Sequence, residues 1–305
     1  MSLLQMSFAG AVMILAIIVI RALAITFLPK KTFLALWGIA VMRLLLPFSL
    51  PSVFSVYSLI GNHIPMTAPA KVQQAFEVLP PEISGQMATM PGGISNTASP
   101  ISVWTIIWGI GALVCALVFA IAYWKCRQEF QTSLPVDNDF IKGWLSSHQL
   151  KREISIRQSS RFSVPLTYGV LRPVILTPTS TDWENTKALQ YVFAHEYVHI
   201  RRFDSITKLV LITGLCVHWF NPLVWAMYVL ANRDIELSCD EAVVRLFGEN
   251  TKAAYARSLI SMEETRSGLT PLCNNFNKNA IEERITAIMK MKKTSVFSLV
   301  LALFL

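Results

Sequence analysis

The sequence predicts a membrane α-helical bundle, three full spans plus a truncated fourth, with an α+β domain on the cytoplasmic side. Three observations carry that expectation. The chain is 53% hydrophobic with a mean hydropathy of +0.47, above an ordinary soluble domain. Three apolar runs are long enough to cross a bilayer, which takes about 20 residues. Between the third run and the C-terminal one lies a charged segment with both helical and strand patterns.

The spans are expected at about 3–28, 33–50 and 101–124. The N-terminus, M-S-L-L-Q-M, has no basic region, and its apolar run is too long for a signal peptide, so it should remain as an anchor. Orientation follows from Lys and Arg in the loops. Lys30 and Lys31 put the first turn in the cytoplasm, while the loop 52–100, with Lys71, Glu77 and Glu82, suits the outside. Residues 125–294 carry 22 Lys and Arg against 17 Asp and Glu, beginning with Lys125 and Arg127, and are expected in the cytoplasm. The net charge of +8 then reads as positive-inside bias plus a membrane-facing domain. No basic helix or aromatic–basic platform occurs, so direct nucleic-acid binding is not expected. Arg21 and Arg43 lie inside spans whose sequences contain no Asp or Glu, and no role is assigned to them. The five cysteines form no C-x-x-C pair and fit a reducing compartment. Residues 295–305 are read as the start of a last transmembrane helix, cut short at Leu305.

Within the domain 125–294, a basic amphipathic stretch to Lys151 is broken at Pro135. Residues 153–177 are rich in β-branched side chains and punctuated by Gly169, which predicts strands with a turn at that glycine. Pro165 and Pro173 make one of them an edge or irregular strand. Such an edge can accept an extended peptide as a further strand. Thr181 and Glu184 read as a T-x-x-E capping box opening a helix to about Arg202.

That helix contains H-E-Y-V-H. Residues four apart share a helix face, so His195 and His199 can aim at one metal, with Glu196 beside it as general base toward an activated water. Zinc held by two histidines needs a third protein ligand and an open position. Glu236 is chosen, with Asp240 and Glu241 as alternatives. Asp240 is expected to accept the free ring N–H of His195 and fix its tautomer. Cys239 reads as a small buried filler. One Zn2+ per chain is therefore expected, with His195, His199 and Glu236 as ligands.

The apolar segment 209–230 has the hydropathy of a span, but 22 helical residues extend about 33 Å. His199 and Glu236 flank it and must reach the same metal, so the chain must turn back. Asn221-Pro222 is the natural break, giving a hairpin of two short apolar helices associated with the membrane. His218 beside the break is read as a packed core histidine, with an oxyanion role as the alternative. Helices are expected over 253–265 and 280–293, joined by a polar loop. Within that loop, 270–277 is the expected self-cleavage segment, at Asn275–Phe276, since an extended loop enters a cleft more cheaply than a helix.

H-E-Y-V-H-I-R-R-F-D, H-W-F-N-P-L-V-W and E-L-S-C-D-E-A-V, in that order within a four-span layout, resemble the β-lactam sensor-transducer membrane metallopeptidases of bacteria. The resemblance covers nearly the whole chain. It implies a zincin-like, gluzincin-type zinc metalloprotease domain facing the cytoplasm of a multi-pass plasma-membrane protein. In that family an extracellular penicillin-binding domain follows the last span, and its acylation switches on a protease that cuts itself and leads to loss of a cytoplasmic repressor. Residues 1–305 hold no such domain; Ser205-x-x-Lys208 matches a penicillin-recognising S-x-x-K, but without S-D-N or K-T-G partners. The expected partners are a protein or peptide substrate (the chain itself, and by the resemblance a repressor) and the lipid bilayer, with a homodimer left open. The rival readings are a processing protease without a sensor, and a non-catalytic membrane scaffold holding zinc in a closed four-ligand site with Cys239.

Overall fold

The fold comes from a computed structural model that describes residues 2–46, 102–267 and 274–291. The chain divides into two units, residues 1–47 with 108–305, and residues 48–107. Of the second, only residues 102–107 are described.

Helix α1 (Leu3–Ala24) opens with a capping box, Ser2 and Gln5 satisfying each other's backbone amides. Helix α2 (Lys30–Leu45) has 16 residues, short of a full crossing; the rest of the expected second span lies outside the described residues. Helix α3 (Val103–Gln131) is unbroken over 29 residues. With no Gly or Pro between Trp124 and Gln131, the basic stretch continues the helix. Among the described residues, α1 and α3 are the helices long and apolar enough to cross a bilayer. The most apolar window of α3 buries nothing, and a bare apolar surface of that length needs an apolar surrounding.

Past Ser133, α4 (Asp139–Ser147) is capped by Asn138, whose side chain accepts from the Ile141 amide. A four-stranded sheet is ordered β1-β2-β4-β3. Its strands are β1 (Leu134–Pro135), β2 (Ser155–Ser159), β3 (Leu166–Tyr168) and β4 (Val174–Pro178). β2 and β4 run parallel, and β1 and β3 flank them antiparallel. β4 is buried along its whole length. β3 is an edge strand, and its turn into β4 puts Gly169 at φ 85°. A Cβ there would also meet Arg172 O at 2.5 Å, so the turn demands glycine.

Helix α5 (Thr186–Arg202) begins later than the T-x-x-E pattern indicates. Thr181 Oγ1 donates to Pro178 O, and Asp182 accepts from the Glu184 amide in a local turn. Asn185 caps the helix instead, accepting from the Ala188 amide. Short polar side chains that bond their own backbone compete with helix initiation. The helix stops at Phe203, held in the left-handed region at φ 59°, and α6 (Asp204–Val217) starts at the next residue. The strain is offset by Arg152, whose guanidinium lies 3.8 Å over the Phe203 ring and donates to Ile200 O at the end of α5.

The chain turns back between α6 and α7 (Pro222–Phe247), with Pro222 in the first turn and Asn221 accepting from the Leu223 amide. The second arm is not short. It runs unbroken for 26 residues, because nothing after Pro222 interrupts a helix until Gly248. His218 is fully buried and donates from Nε2 to Leu44 O, which makes it a core residue. A short 3-10 turn leads to α8 (Lys252–Ser267) and α9 (Asn274–Lys290). α9 begins six residues before the expected Ala280, so Asn275 and Phe276 lie in its first turn rather than in a loop. The preceding part of the expected loop lies outside the described residues.

Three apolar clusters organise these elements. The first joins α1, α2, α6 and α7 through Ile14, Phe33, Trp37, Leu44, Leu215 and Met227. Gly10 lets α1 approach α2, since a Cβ there would overlap Leu44 Cδ2 at 2.3 Å. The second packs the sheet and α4 on α5, and the third joins α5, α7, α8 and α9. Arg21 does have acidic partners, from outside the spans. It pairs with Asp234 on α7 at 2.9 Å and Glu283 on α9 at 2.7 Å, while Trp37 Nε1 donates to Asp234. Removing one member of a buried pair of this kind costs about 3–5 kcal/mol.

Candidate metal centre

The apolar face of α5 packs into the core and leaves His195, Glu196 and His199 along a cleft of about 400 Å³. α7 crosses the same cleft with Glu236. His195 Nε2 and His199 Nε2 lie 3.1 Å apart. Glu236 Oε2 is 3.3 Å from the first and 3.6 Å from the second. Ligand atoms about 2.0–2.1 Å from a tetrahedral zinc stand roughly 3.3–3.4 Å from one another. The three donor atoms thus occupy three corners of such a tetrahedron, and the residues fit the ion.

The far nitrogens are held too. His195 Nδ1 lies 3.0 Å from Tyr255 OH and 3.3 Å from Asp240 Oδ1. Tyr255 OH donates to the same Oδ1 at 2.6 Å, and Arg284 forks onto both Asp240 oxygens at 2.7 and 2.8 Å. His199 Nδ1 meets Asp204 Oδ2 at 2.6 Å. Arg202 anchors that aspartate and also donates to Ser238 Oγ. Imidazoles that ligate metals are commonly held in this way.

Burial opposes charge on His195, but hydrogen bonds to Asp240 and Glu236 prevail and raise its pKa. His199 is raised well above the ordinary value against the same penalty, chiefly by Asp204. Burial also opposes ionisation of Glu236, yet His195 and His199 hold it well below the usual carboxylate range. Asp240 is lowered in the same sense by Arg284 despite its burial. The pocket's field favours positive charge at the point where the donors converge.

The alternatives to Glu236 are engaged elsewhere. Glu241 accepts from the Lys30 amide at the start of α2 at 2.7 Å and pairs with Arg245, a carboxylate at a helix N-terminus. Asp240 faces the back of His195. Cys239 Sγ joins the two histidines within 4.8 Å, but it approaches Nδ1 of His199, at 3.4 Å, on the ring edge turned away from His195. Burial pushes its thiol up to about 11, and a protonated sulfur is a poor ligand. The donor atoms that converge in the cleft are thus those of His195, His199 and Glu236.

Glu196 faces the cleft, its Oε2 accepting from Thr167 Oγ1 on edge strand β3. Lys208 stands 3.4 Å from the second Glu236 oxygen. Sequence reasoning missed Thr167, Asp204, Tyr255 and Arg284. Asp204 lay within a motif that sequence alone picks out, five residues past His199. The others arrive by tertiary packing and leave no local spacing to detect.

Two histidines one helical turn apart, a carboxylate from a second helix and an acid in an open cleft define a metallopeptidase-type centre. The chain belongs to the BlaR1 peptidase M56 family, which matches residues 1–288. It is 27% identical over 224 residues to the regulatory protein BlaR1 of Bacillus licheniformis, covering 67% of this chain and 37% of that one. It is 26% identical over 192 residues to the methicillin resistance mecR1 protein of Staphylococcus aureus, covering 60% and 33%. The chain thus spans about a third of the length of these relatives.

Proposed function

We propose that this chain is an integral membrane zinc metalloendopeptidase that hydrolyses peptide bonds on the cytoplasmic side. It transduces an extracellular antibiotic or cell-wall signal by cutting itself, with loss of a transcriptional repressor downstream. The observation that carries the reading is the tetrahedral spacing of three donors beside Glu196 in an open cleft. The regulatory and methicillin-resistance names of the relatives support the signalling part.

His195, His199 and Glu236 would hold the ion, which supplies Lewis-acid polarisation of a water and of the scissile carbonyl. Glu196 takes a proton from the attacking water and returns it to the leaving amine. Thr167 steadies that carboxylate. Asp240, Tyr255 and Asp204 fix both imidazoles so that their Nε2 atoms stay aimed at one point. Val164, Pro165, Leu166 and Thr167 line the cleft, and an extended peptide paired to this edge strand would lie across Glu196.

Self-cleavage at Asn275–Phe276 requires the first turn of α9 to open, and helix ends fray readily. N-terminal sequencing of fragments from the chain in membranes tests the activity. A fragment beginning at Phe276 is expected, absent after zinc chelation and restored by zinc. A chain intact under every inducer tried, or a cut that survives chelation, contradicts it.

The topology has its own test. Single cysteines at Arg202 and Arg233 should resist an impermeant thiol reagent in intact cells, while one at Ser84 should react. Labelling of either arginine position from outside contradicts the cytoplasmic assignment.

A further inference from the structure

Helix α9 begins more than 70 residues after the end of the HExxH helix, yet it reaches the back of the metal centre. Arg284 makes the bidentate contact with Asp240, a residue 1% exposed. A carboxylate offers about four lone-pair positions. Arg284 donates to both oxygens, Tyr255 OH donates to Oδ1, and the same Oδ1 stands 3.3 Å from His195 Nδ1. Asp240 therefore cannot rotate without breaking a charge-assisted bond. The neighbouring residue, Glu283, points elsewhere. It receives Arg21 Nη2 from α1 at 2.7 Å and Arg233 Nη1 from α7 at 3.4 Å. Arg21 is also bound to both oxygens of Asp234, two residues before Glu236. Two consecutive residues of α9 thus connect an apolar helix long enough to span a bilayer with the support of a metal-binding imidazole.

We propose that Arg284 is a positioning residue for the metal centre, and that Glu283, seated on Arg21, makes α9 a strut coupling the α1 span to His195. The proposal deepens the zinc-peptidase reading and rests on it. The path runs Arg21–Glu283 to Arg284–Asp240 to His195, through two ion pairs at 2.7 Å and the 3.3 Å approach of Asp240 to His195 Nδ1. A displacement of α9 against α1 would release Asp240, and with it the ring of His195, before any ligand atom is removed. A buried Arg–Asp pair that only fastens the fold would leave zinc affinity of the folded protein unchanged.

The test is zinc affinity of the full chain in detergent, by competition with a chromophoric chelator, with folding checked by circular dichroism. Arg284→Gln is expected to weaken zinc binding by about 10- to 100-fold. Arg284→Lys keeps the charge but loses the fork, should weaken binding less, and carries the test if the Gln variant does not fold. Glu283→Gln should shift affinity in the same direction by a smaller factor. In an Asp240→Asn background, Arg284→Gln should add nothing, because both act through one carboxylate. An Arg284→Gln protein that binds zinc as tightly as the wild type overturns the proposal alone, as does full additivity with Asp240→Asn. A wild type that binds no zinc overturns the peptidase reading and this proposal together.

Discussion

Glu196→Gln is expected to bind metal at the wild-type level and to lose peptide hydrolysis by about 10²- to 10⁴-fold or more. Glutamine preserves the shape of the side chain, and its carbonyl oxygen can still accept from Thr167 Oγ1. Its amide cannot take a proton from water. The loss should fall on turnover, since Glu196 does not contribute to the convergent donors. Metal content measured beside cleavage, on one preparation, checks both halves. An active Glu196→Gln protein, or one that has also lost its metal, contradicts the role given to this carboxylate.

The second large effect separates Glu236 from Cys239. His195→Ala, His199→Ala and Glu236→Ala are each expected to lose metal, by more than the about 10- to 100-fold typical of changes to supporting groups. Cys239→Ser should keep it. The sulfur lies beside His199 Nδ1, and Asp204 at 2.6 Å already occupies that nitrogen. Serine at a fully buried site will cost some stability, so binding should be compared on folded protein. Metal retained in Glu236→Ala but lost in Cys239→Ser would favour the closed, structural site instead.

Much of this centre was legible because its information is local. His195 and His199 are one turn apart on a helix whose other side is apolar, and Glu236 and Asp240 repeat that spacing on α7. The turn at Asn221-Pro222 could be reasoned from the need to bring both helices to one ion. The glycine turn at Gly169 was visible as a break between β-branched runs. What stayed hidden is tertiary or competitive. Asn185 caps α5 because the turn at Asp182 consumes the polar groups ahead of it. Hydropathy falls after Leu230, yet α7 continues, since polar residues facing Arg21 and the cleft are compatible with a helix. Arg21 looked unpartnered because Asp234 and Glu283 lie 213 and 262 residues away. Tyr255 and Arg284 join Asp240 from helices whose placement no spacing rule reports.

The most direct measurement of the central claim is X-ray absorption at the zinc edge on the purified wild-type chain. The account predicts one zinc per chain with only nitrogen and oxygen neighbours at about 2.0–2.2 Å, two of them imidazoles, and no sulfur. A sulfur neighbour at about 2.3 Å, or a preparation that takes up no zinc, would contradict a centre built from His195, His199 and Glu236.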